Sequence, residues 1–141
     1  HGPNKSLIDR VDYSNDTATA VERGPLSVAR RALTATGNAS FSYFGGGFAS
    51  NWVSIVDRID YSNDTATAVA KGPLNIVRGY FAATGNQSFG YYAGGLSSPE
   101  ISSVDRVDFS NDTAAATPKG PLSSGRGVLA GASARANGLP Q

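Results

Sequence analysis

The carboxylates of this chain are concentrated in one segment that occurs three times. It reads Asp-Arg-Val-Asp-Tyr-Ser-Asn-Asp-Thr from Asp9, Asp-Arg-Ile-Asp-Tyr-Ser-Asn-Asp-Thr from Asp57 and Asp-Arg-Val-Asp-Phe-Ser-Asn-Asp-Thr from Asp105. Clustered carboxylate and amide oxygens are the ligands that Ca²⁺ prefers. However, the spacing is not that of an EF-hand loop, and Asn and Asp are also common turn residues. We therefore interpret the segment as a hairpin turn flanked by an Asp–Arg ladder, and predict no metal or other cofactor.

No set of residues suited to catalysis is visible. The chain has no Cys, and its only His is His1. The paired carboxylates recur identically in each copy, and an active site repeated three times would be unusual. We therefore predict that the protein is not an enzyme.

The glycine clusters could suggest a phosphate-binding loop. No Gly-Lys-Ser or Gly-Lys-Thr follows Gly46-Gly47 or Gly94-Gly95, and no helix is predicted there to present amide groups to an anion. We interpret these glycines as structural, allowing a tight exit from a strand.

The pattern Asn-x-Ser/Thr, which can accept an N-linked glycan, occurs five times. The asparagines are Asn15, Asn38, Asn63, Asn86 and Asn111. They matter for function only if the chain passes through a eukaryotic secretory route, and otherwise we interpret them as turn residues.

Composition excludes two classes of partner. The formal net charge is +1, from 12 basic and 11 acidic residues spread through all copies. This balance predicts neither nucleic-acid binding nor attraction to an anionic membrane. No apolar run approaches 18 residues, so we predict no membrane insertion.

The three segments begin 48 residues apart with no insertion. A fixed period of this length is typical of solenoids, propellers or arrays, in which each unit buries its core only by stacking on its neighbours. We divide the chain into units 9–56, 57–104 and 105–141, which together form one domain over 1–141.

The second unit predicts four short strands. Residues 54–61 are rich in β-branched and aromatic residues and predict a strand, with a turn at 62–64. The return strand is predicted at 65–69, and further strands at 79–84 and 88–93. The fold class is therefore all-β.

The two chain ends differ. The third unit keeps the pattern as far as Arg126 and then departs from it, and we interpret residues 137–141 as a natural terminus. The start aligns with the interior of a loop, so we expect a cut there.

The whole chain resembles kelch-type β-propeller blades. Residues 43–47 and 91–95 match the kelch Tyr-x-x-Gly-Gly motif, and residues 56–60 match its Val-Glu-x-Tyr-Asp segment. The arginines that follow each Gly-Pro-Leu take the place of the arginine in kelch Pro-x-x-Arg. They are Arg30, Arg78 and Arg126. These arginines could contact acidic sugars, but their presence in every copy favours hydrogen bonds between blades.

One departure from kelch is consistent. Ala18, Ala66 and Ala114 stand where a kelch repeat has Trp, which predicts a smaller and flatter contact between blades. The wording Tyr-Ser-Asn-Asp-Thr-Ala-Thr-Ala, with Gly-Pro-Leu-Ser and Ala-Thr-Gly-Asn, is also similar to a repeat in virion or tail-associated proteins of marine phages and large algal viruses. That resemblance implies a structural or host-contact role.

The resemblance implies a β-propeller segment of about three four-stranded blades. Propellers have four to eight blades, so three do not close a ring. Either a second chain closes it, or upstream blades of the same protein do. Open blades also favour self-association, because they leave apolar faces and strand edges unpaired.

Recognition should lie where the copies differ, because shared positions serve the scaffold. The longest divergent segments are 48–53 and 96–101, which connect the second and third strands of a blade. The candidate recognition residues are Phe48, Asn51, Trp52, Pro99 and Glu100. Trp52 either stacks on a sugar or contacts a protein, or it packs against a neighbouring blade.

The sequence therefore predicts a non-enzymatic structural and binding module. Our leading hypothesis is a virion or tail-associated phage protein that contacts host surface glycan or protein, located outside cells or on the virion. The alternative is a secreted cellular lectin or adhesin with a kelch-like propeller, in which the Asn-x-Ser/Thr sites carry glycans.

Overall fold

A computed structural model describes residues 2–133 and folds them into three antiparallel β-sheets. The strands in this range are β1 (Ile8–Arg10), β2 (Val21–Arg23), β3 (Thr34–Gly37), β4 (Phe41–Gly45), β5 (Val56–Asp60), β6 (Val69–Ala70), β7 (Ala82–Gly85), β8 (Phe89–Ala93), β9 (Val104–Asp108) and β10 (Thr117–Lys119). The first sheet pairs β1 with β2, the second has the order β3-β4-β5-β6, and the third has the order β7-β8-β9-β10. The all-β expectation is confirmed. No helix in the described range is long and apolar enough to span a membrane.

Each four-stranded sheet is built from two consecutive repeat units. In the second sheet, β3 and β4 come from unit 9–56, whereas β6 and all of β5 except Val56 come from unit 57–104. The register repeats as well, since Phe44 pairs with Asp57 in the second sheet and Tyr92 pairs with Asp105 in the third. The first two strands of each four-stranded sheet are joined by short hairpins, whereas longer connections join the second and third strands.

The return strand begins later than the sequence predicted. Residues 65–69 were expected to pair, but β6 comprises only Val69–Ala70. A short 3₁₀ turn at Tyr61–Asn63 follows β5, and the side chain of Asp60 accepts a hydrogen bond from the main-chain N–H of Ser62 at its start. The next residues then lie against Gly24 of the preceding unit instead of pairing with β5.

The strand predicted at 79–84 is shifted to Ala82–Gly85. Gly79 pairs instead with Leu96 in an isolated bridge, and Tyr80 adopts a positive φ of 52° that ends any extended run. The strand predicted at 88–93 is found at Phe89–Ala93. The interpretation of residues 137–141 as a terminus concerns positions outside the described residues.

The hydrophobic core lies between the second and third sheets. Its buried members are Tyr43, Val56, Leu74, Phe81, Tyr92, Val107 and Ala116. A Cβ at Gly45 would lie 2.7 Å from the Tyr92 ring, so glycine at this position lets the tyrosine pack directly on a backbone. The Tyr92 hydroxyl donates to the carbonyl of Tyr43 at 3.0 Å and joins the two sheets.

A chain of strained residues links successive units. Ala32, Tyr80 and Val128 occupy the same repeat position, and all have left-handed φ values between 52° and 58°. The N–H of Tyr80 donates to the carbonyl of Ala32, and the N–H of Val128 donates to the carbonyl of Tyr80. This conformation is unfavourable for a residue with a Cβ, so the inter-unit hydrogen bonds must hold it in place.

Replacing Val128 with Gly should stabilise the fold. The side chain is 85% exposed, so its removal sacrifices little burial, while glycine relieves about 1 kcal/mol of left-handed strain. Urea unfolding measures the change. The matched control is Val69→Gly on β6, which is also exposed but extended, and which should lose about 1 kcal/mol. A loss in both variants would contradict the strain at Val128.

Candidate functional site

Two buried ion pairs occupy equivalent places in the second and third sheets. Arg30 Nη1 donates to Asp57 Oδ2 at 2.7 Å, and Arg78 Nη2 donates to Asp105 Oδ2 at 2.9 Å. All four side chains have no solvent-exposed area. Charges removed from water in this way are stable only when paired and hydrogen-bonded.

Each buried arginine connects the segment that precedes a four-stranded sheet to the second strand of that sheet. The guanidinium of Arg30 donates to the carbonyls of Gly46 and Phe44 on the adjacent strand, at 2.8 and 3.1 Å. Its own main-chain N–H donates back to the carbonyl of Lys5. The side-chain bonds therefore lie within one sheet, and the main chain makes the link to the preceding unit.

The aspartates of the two pairs differ in one accepted hydrogen bond. Asp57 accepts from the hydroxyl of Ser27 at 2.6 Å and from its main-chain N–H at 3.1 Å. Asn75 replaces this serine in the next unit, and only its main-chain N–H reaches Asp105. Within residues 2–133, Asp105 Oδ1 is buried without a hydrogen-bond partner.

Asn75→Ser should therefore stabilise the protein. The new hydroxyl would reach Asp105 Oδ1 as that of Ser27 reaches Asp57, and a hydrogen bond to a charged group contributes about 1.5–3 kcal/mol. The change is measured as a shift of the urea midpoint at constant m value. In the matched variant Ser27→Ala, Asp57 loses its hydroxyl donor and stability should fall. An unchanged midpoint for Asn75→Ser would show that the hydroxyl does not reach Asp105.

Arg126, at the same repeat position, is exposed. Its guanidinium donates to the hydroxyls of Ser123 and Ser124 at 2.8 and 3.3 Å. Of the three repeated arginines, only this one presents its charge to solvent in the described structure.

Aspartates of the repeated segment are used separately. Asp12, Asp60 and Asp108 each accept from the hydroxyl and main-chain N–H of a serine two residues later. The hydroxyl hydrogen bond is the largest cause of the lowered pKa of all three carboxyls. Residues 2–133 contain no group of three His, Asp or Glu side chains arranged to hold a metal ion.

The last aspartate of the repeated segment connects neighbouring units. This role was not predicted from the sequence. Asp112 accepts from the Tyr43 hydroxyl at 2.9 Å and from Arg58 Nη1 at 2.8 Å, and Lys71 Nζ lies 3.3 Å away. Burial, together with the Asp112 carboxylate, raises the pKa of Tyr43. Asp64 is placed likewise beside Arg10 and Arg23 of the first unit. The signal was present in the sequence, because this aspartate and its basic partners recur at the same offsets.

The glycine pairs have the conformation that only glycine adopts readily. Gly46 and Gly94 have φ values of 59° and 65°, and Gly47 and Gly95 both have 106°. The N–H of Gly47 donates to the carbonyl of Arg78 in the next unit. These residues turn the chain sharply after β4 and β8.

The first divergent segment is partly packed. The Trp52 ring meets Phe48 and Tyr80 edge-on, with centroids 5.1 and 5.9 Å apart. A Cβ at Gly79 would lie 2.1 Å from Trp52, so the indole covers bare backbone of the next unit. Arg31 lies over the Phe48 ring at 4.4 Å.

The remaining candidate recognition residues are accessible. Asn51, Pro99 and Glu100 are exposed at the tips of the β4–β5 and β8–β9 connections. The carboxylate of Glu100 lies close to Gly127. The structure thus separates a packed aromatic base, formed by Phe48 and Trp52, from polar tips that face solvent.

No protein-family model matches this chain, and no curated protein sequence is significantly similar to it.

Proposed function

We propose that this chain is a non-enzymatic structural and binding module, built of kelch-like propeller blades and carried on a viral, phage-type particle. The observation that carries the proposal is that the repeated charged residues are buried and paired within the scaffold. Arg30, Asp57, Arg78 and Asp105 are fully buried in pairs, and Asp112 links neighbouring units. The repeated chemistry is structural, and the divergent loops remain for recognition.

The sheet order supports a propeller arrangement. In each four-stranded sheet the strands follow chain order, and the next sheet begins with a strand that packs beside the first strand of the previous sheet. A propeller repeats this passage around a central axis. The links between Ala32, Tyr80 and Val128 run from sheet to sheet at one repeat position, as residues near such an axis would.

The proposed recognition surface comprises the tips of the two long connections. Each connection joins the second and third strands of its sheet, so the two connections lie at equivalent ends of their sheets. Asn51 and Glu100 supply an amide and a carboxylate that can hydrogen-bond sugar hydroxyls or a protein surface. The packed Phe48 and Trp52 support the first tip from below.

Binding and turnover can be tested together on an array of bacterial and algal surface polysaccharides. We expect the wild-type chain to bind a subset of them without releasing reducing ends. Asn51→Ala combined with Glu100→Ala should weaken that binding at least about tenfold, the equivalent of two modest hydrogen bonds. Asn63→Ala, at an exposed turn outside the tips, is the control. Cleavage of a bound polysaccharide, or binding that the tip variant leaves unchanged, would contradict the proposal.

A secreted cellular lectin or adhesin of the same fold is the second candidate. It is favoured by the exposure of Asn15, Asn63, Asn86 and Asn111, each of which begins an Asn-x-Ser/Thr site. The intact mass of protein from its natural source decides between the two candidates. Hexose-sized additions would support secretion, whereas an unmodified mass would support the viral assignment.

A further inference from the structure

One of the contacts between neighbouring units is made twice in this chain. At the first contact, the N–H of Gly24 donates to the carbonyl of Asp64, and the N–H of Ala68 donates to the carbonyl of Pro25, both at 2.8 Å. At the second, Gly72 donates to Asp112 and Ala116 to Pro73, with the same distances. We call this arrangement the docking contact.

The docking contact also has a fixed charge pattern. Asp64 lies between Arg10 and Arg23, and Asp112 lies between Arg58 and Lys71. In both cases the aspartate belongs to the later unit and the two cations to the earlier unit. The contact is thus directional, with an acidic hairpin entering a basic face.

The glycine in the contact is required by close approach. A Cβ at Gly24 would lie 1.8 Å from the carbonyl oxygen of Ala66, and a Cβ at Gly72 would lie 1.8 Å from that of Ala114. The small alanines, which replace the kelch Trp, allow the hairpin backbone to come this near. No residue larger than glycine fits against the hairpin backbone at this position.

Both halves of a third docking contact are present and open. The basic face comprises Arg106, Lys119, Gly120 and Pro121, and no other described atom lies within 4 Å of a Cβ built on Gly120. The acidic hairpin comprises residues 16–20, where Asp16 is exposed. Each of these residues lies 48 positions from its counterpart in an internal docking contact and is of the same type as that counterpart.

We propose that a second copy of this chain docks head to tail through these two surfaces. Asp16 of one copy then accepts from Arg106 and Lys119 of the other, and Gly120 donates to the carbonyl of Asp16. The N–H of Ala20 donates to the carbonyl of Pro121. Three repeats span 144 positions, so the second copy continues the numbering of the first and reproduces the internal contacts. The inference rests on the scaffold proposed above and not on the ligand of its loops.

A steric variant tests the contact. Gly120→Val leaves the isolated chain unchanged, because its side chain would project into open space, but blocks the hairpin of a second copy. The matched control is Gly2→Val, at another glycine with nothing within 4 Å of an added Cβ. Sedimentation at about 100 µM chain should show wild type and control at twice 14.5 kDa. Gly120→Val should associate at least about tenfold more weakly, with an unchanged far-UV circular dichroism spectrum.

A complementation experiment tests the direction of docking. Asp16→Lys alone places a lysine against Arg106 and Lys119, and Lys119→Glu alone places a glutamate against Asp16, so both should associate more weakly than wild type. When the two are mixed, one contact keeps its native charges and the other pairs a lysine at position 16 with a glutamate at position 119 beside the unchanged Arg106. Native mass spectrometry should then show the mixed pair. A head-to-head dimer would not be restored by mixing.

The outcomes separate this inference from the proposed scaffold. A folded wild-type monomer at about 100 µM, or a dimer that Gly120→Val leaves intact, would overturn head-to-tail docking and leave the internal contacts standing. Loss of the circular dichroism spectrum of the wild-type chain would instead count against the scaffold. Larger multiples that Gly120→Val abolishes would support the docking contact, since head-to-tail contacts that do not close form open chains.

Discussion

Asp57→Ala should destabilise the protein by about 3–5 kcal/mol, because it leaves the guanidinium of Arg30 buried without its counter-ion. Asp57 is fully buried and also accepts two hydrogen bonds from Ser27. Its removal therefore deprives three donors of their acceptor at once. This loss is a large part of the stability of a domain of this size. Urea unfolding followed by circular dichroism measures it, with the m value as the check that the unfolding transition is comparable.

The repeat supplies the control for this variant. Asp9 holds the same repeat position but is exposed, so Asp9→Ala should change stability by no more than about 0.5 kcal/mol. Both are measured with Gly120→Val also present, so that unfolding reports on a single chain and not on association. Equal losses at the two positions would show that burial of the ion pair is not what makes Asp57 important.

Gly72→Val should cost about 3 kcal/mol or more, because it separates two units that share the core. The new Cβ would collide with the carbonyl oxygen of Ala114, and the hydrogen bond from Gly72 to Asp112 would be lost with it. Movement of that hairpin would also take Asp112 away from Tyr43 and Arg58. Thermal unfolding of dilute protein provides the measurement.

The same substitution at the equivalent glycine should act differently. Gly120→Val meets no described atom, so the melting temperature of the dilute chain should stay within about 2 °C of wild type. The two variants differ in position but not in chemistry. A comparable loss in both would mean that valine is disfavoured by the local backbone and not by docking.

The features of the fold that depend on the repeat period and on the local hydrophobic pattern were predicted correctly from the sequence. The 48-residue repeat, the all-β class and the strands at β5 and β8 follow from side chains that alternate or cluster locally. The boundaries of β6 and β7 were wrong because tertiary contacts decide them. Thr65 and Ala66 contact Gly24 and are not part of β6. Tyr80 donates a hydrogen bond to the carbonyl of Ala32 and is not part of β7.

The site was predictable in part. The repeated arginines were identified as scaffold residues, but their partners were not, because Arg30 and Asp57 lie 27 positions apart and only the fold brings them together. Trp52 was left with two interpretations, and the structure places it on Gly79 and Tyr80. The role of Asp112 required knowledge of which surfaces of adjacent units meet. A repeat alone shows that units interact, but not through which atoms.

Small-angle X-ray scattering of the wild-type chain tests most directly whether two copies close the proposed propeller. We expect a particle of twice 14.5 kDa with a radius of gyration of about 19 Å, the value for a compact body of that many residues. Six blades closed around one axis by two copies would give this result. A mass of 14.5 kDa at every concentration, or an elongated particle that grows with concentration, would contradict a closed ring.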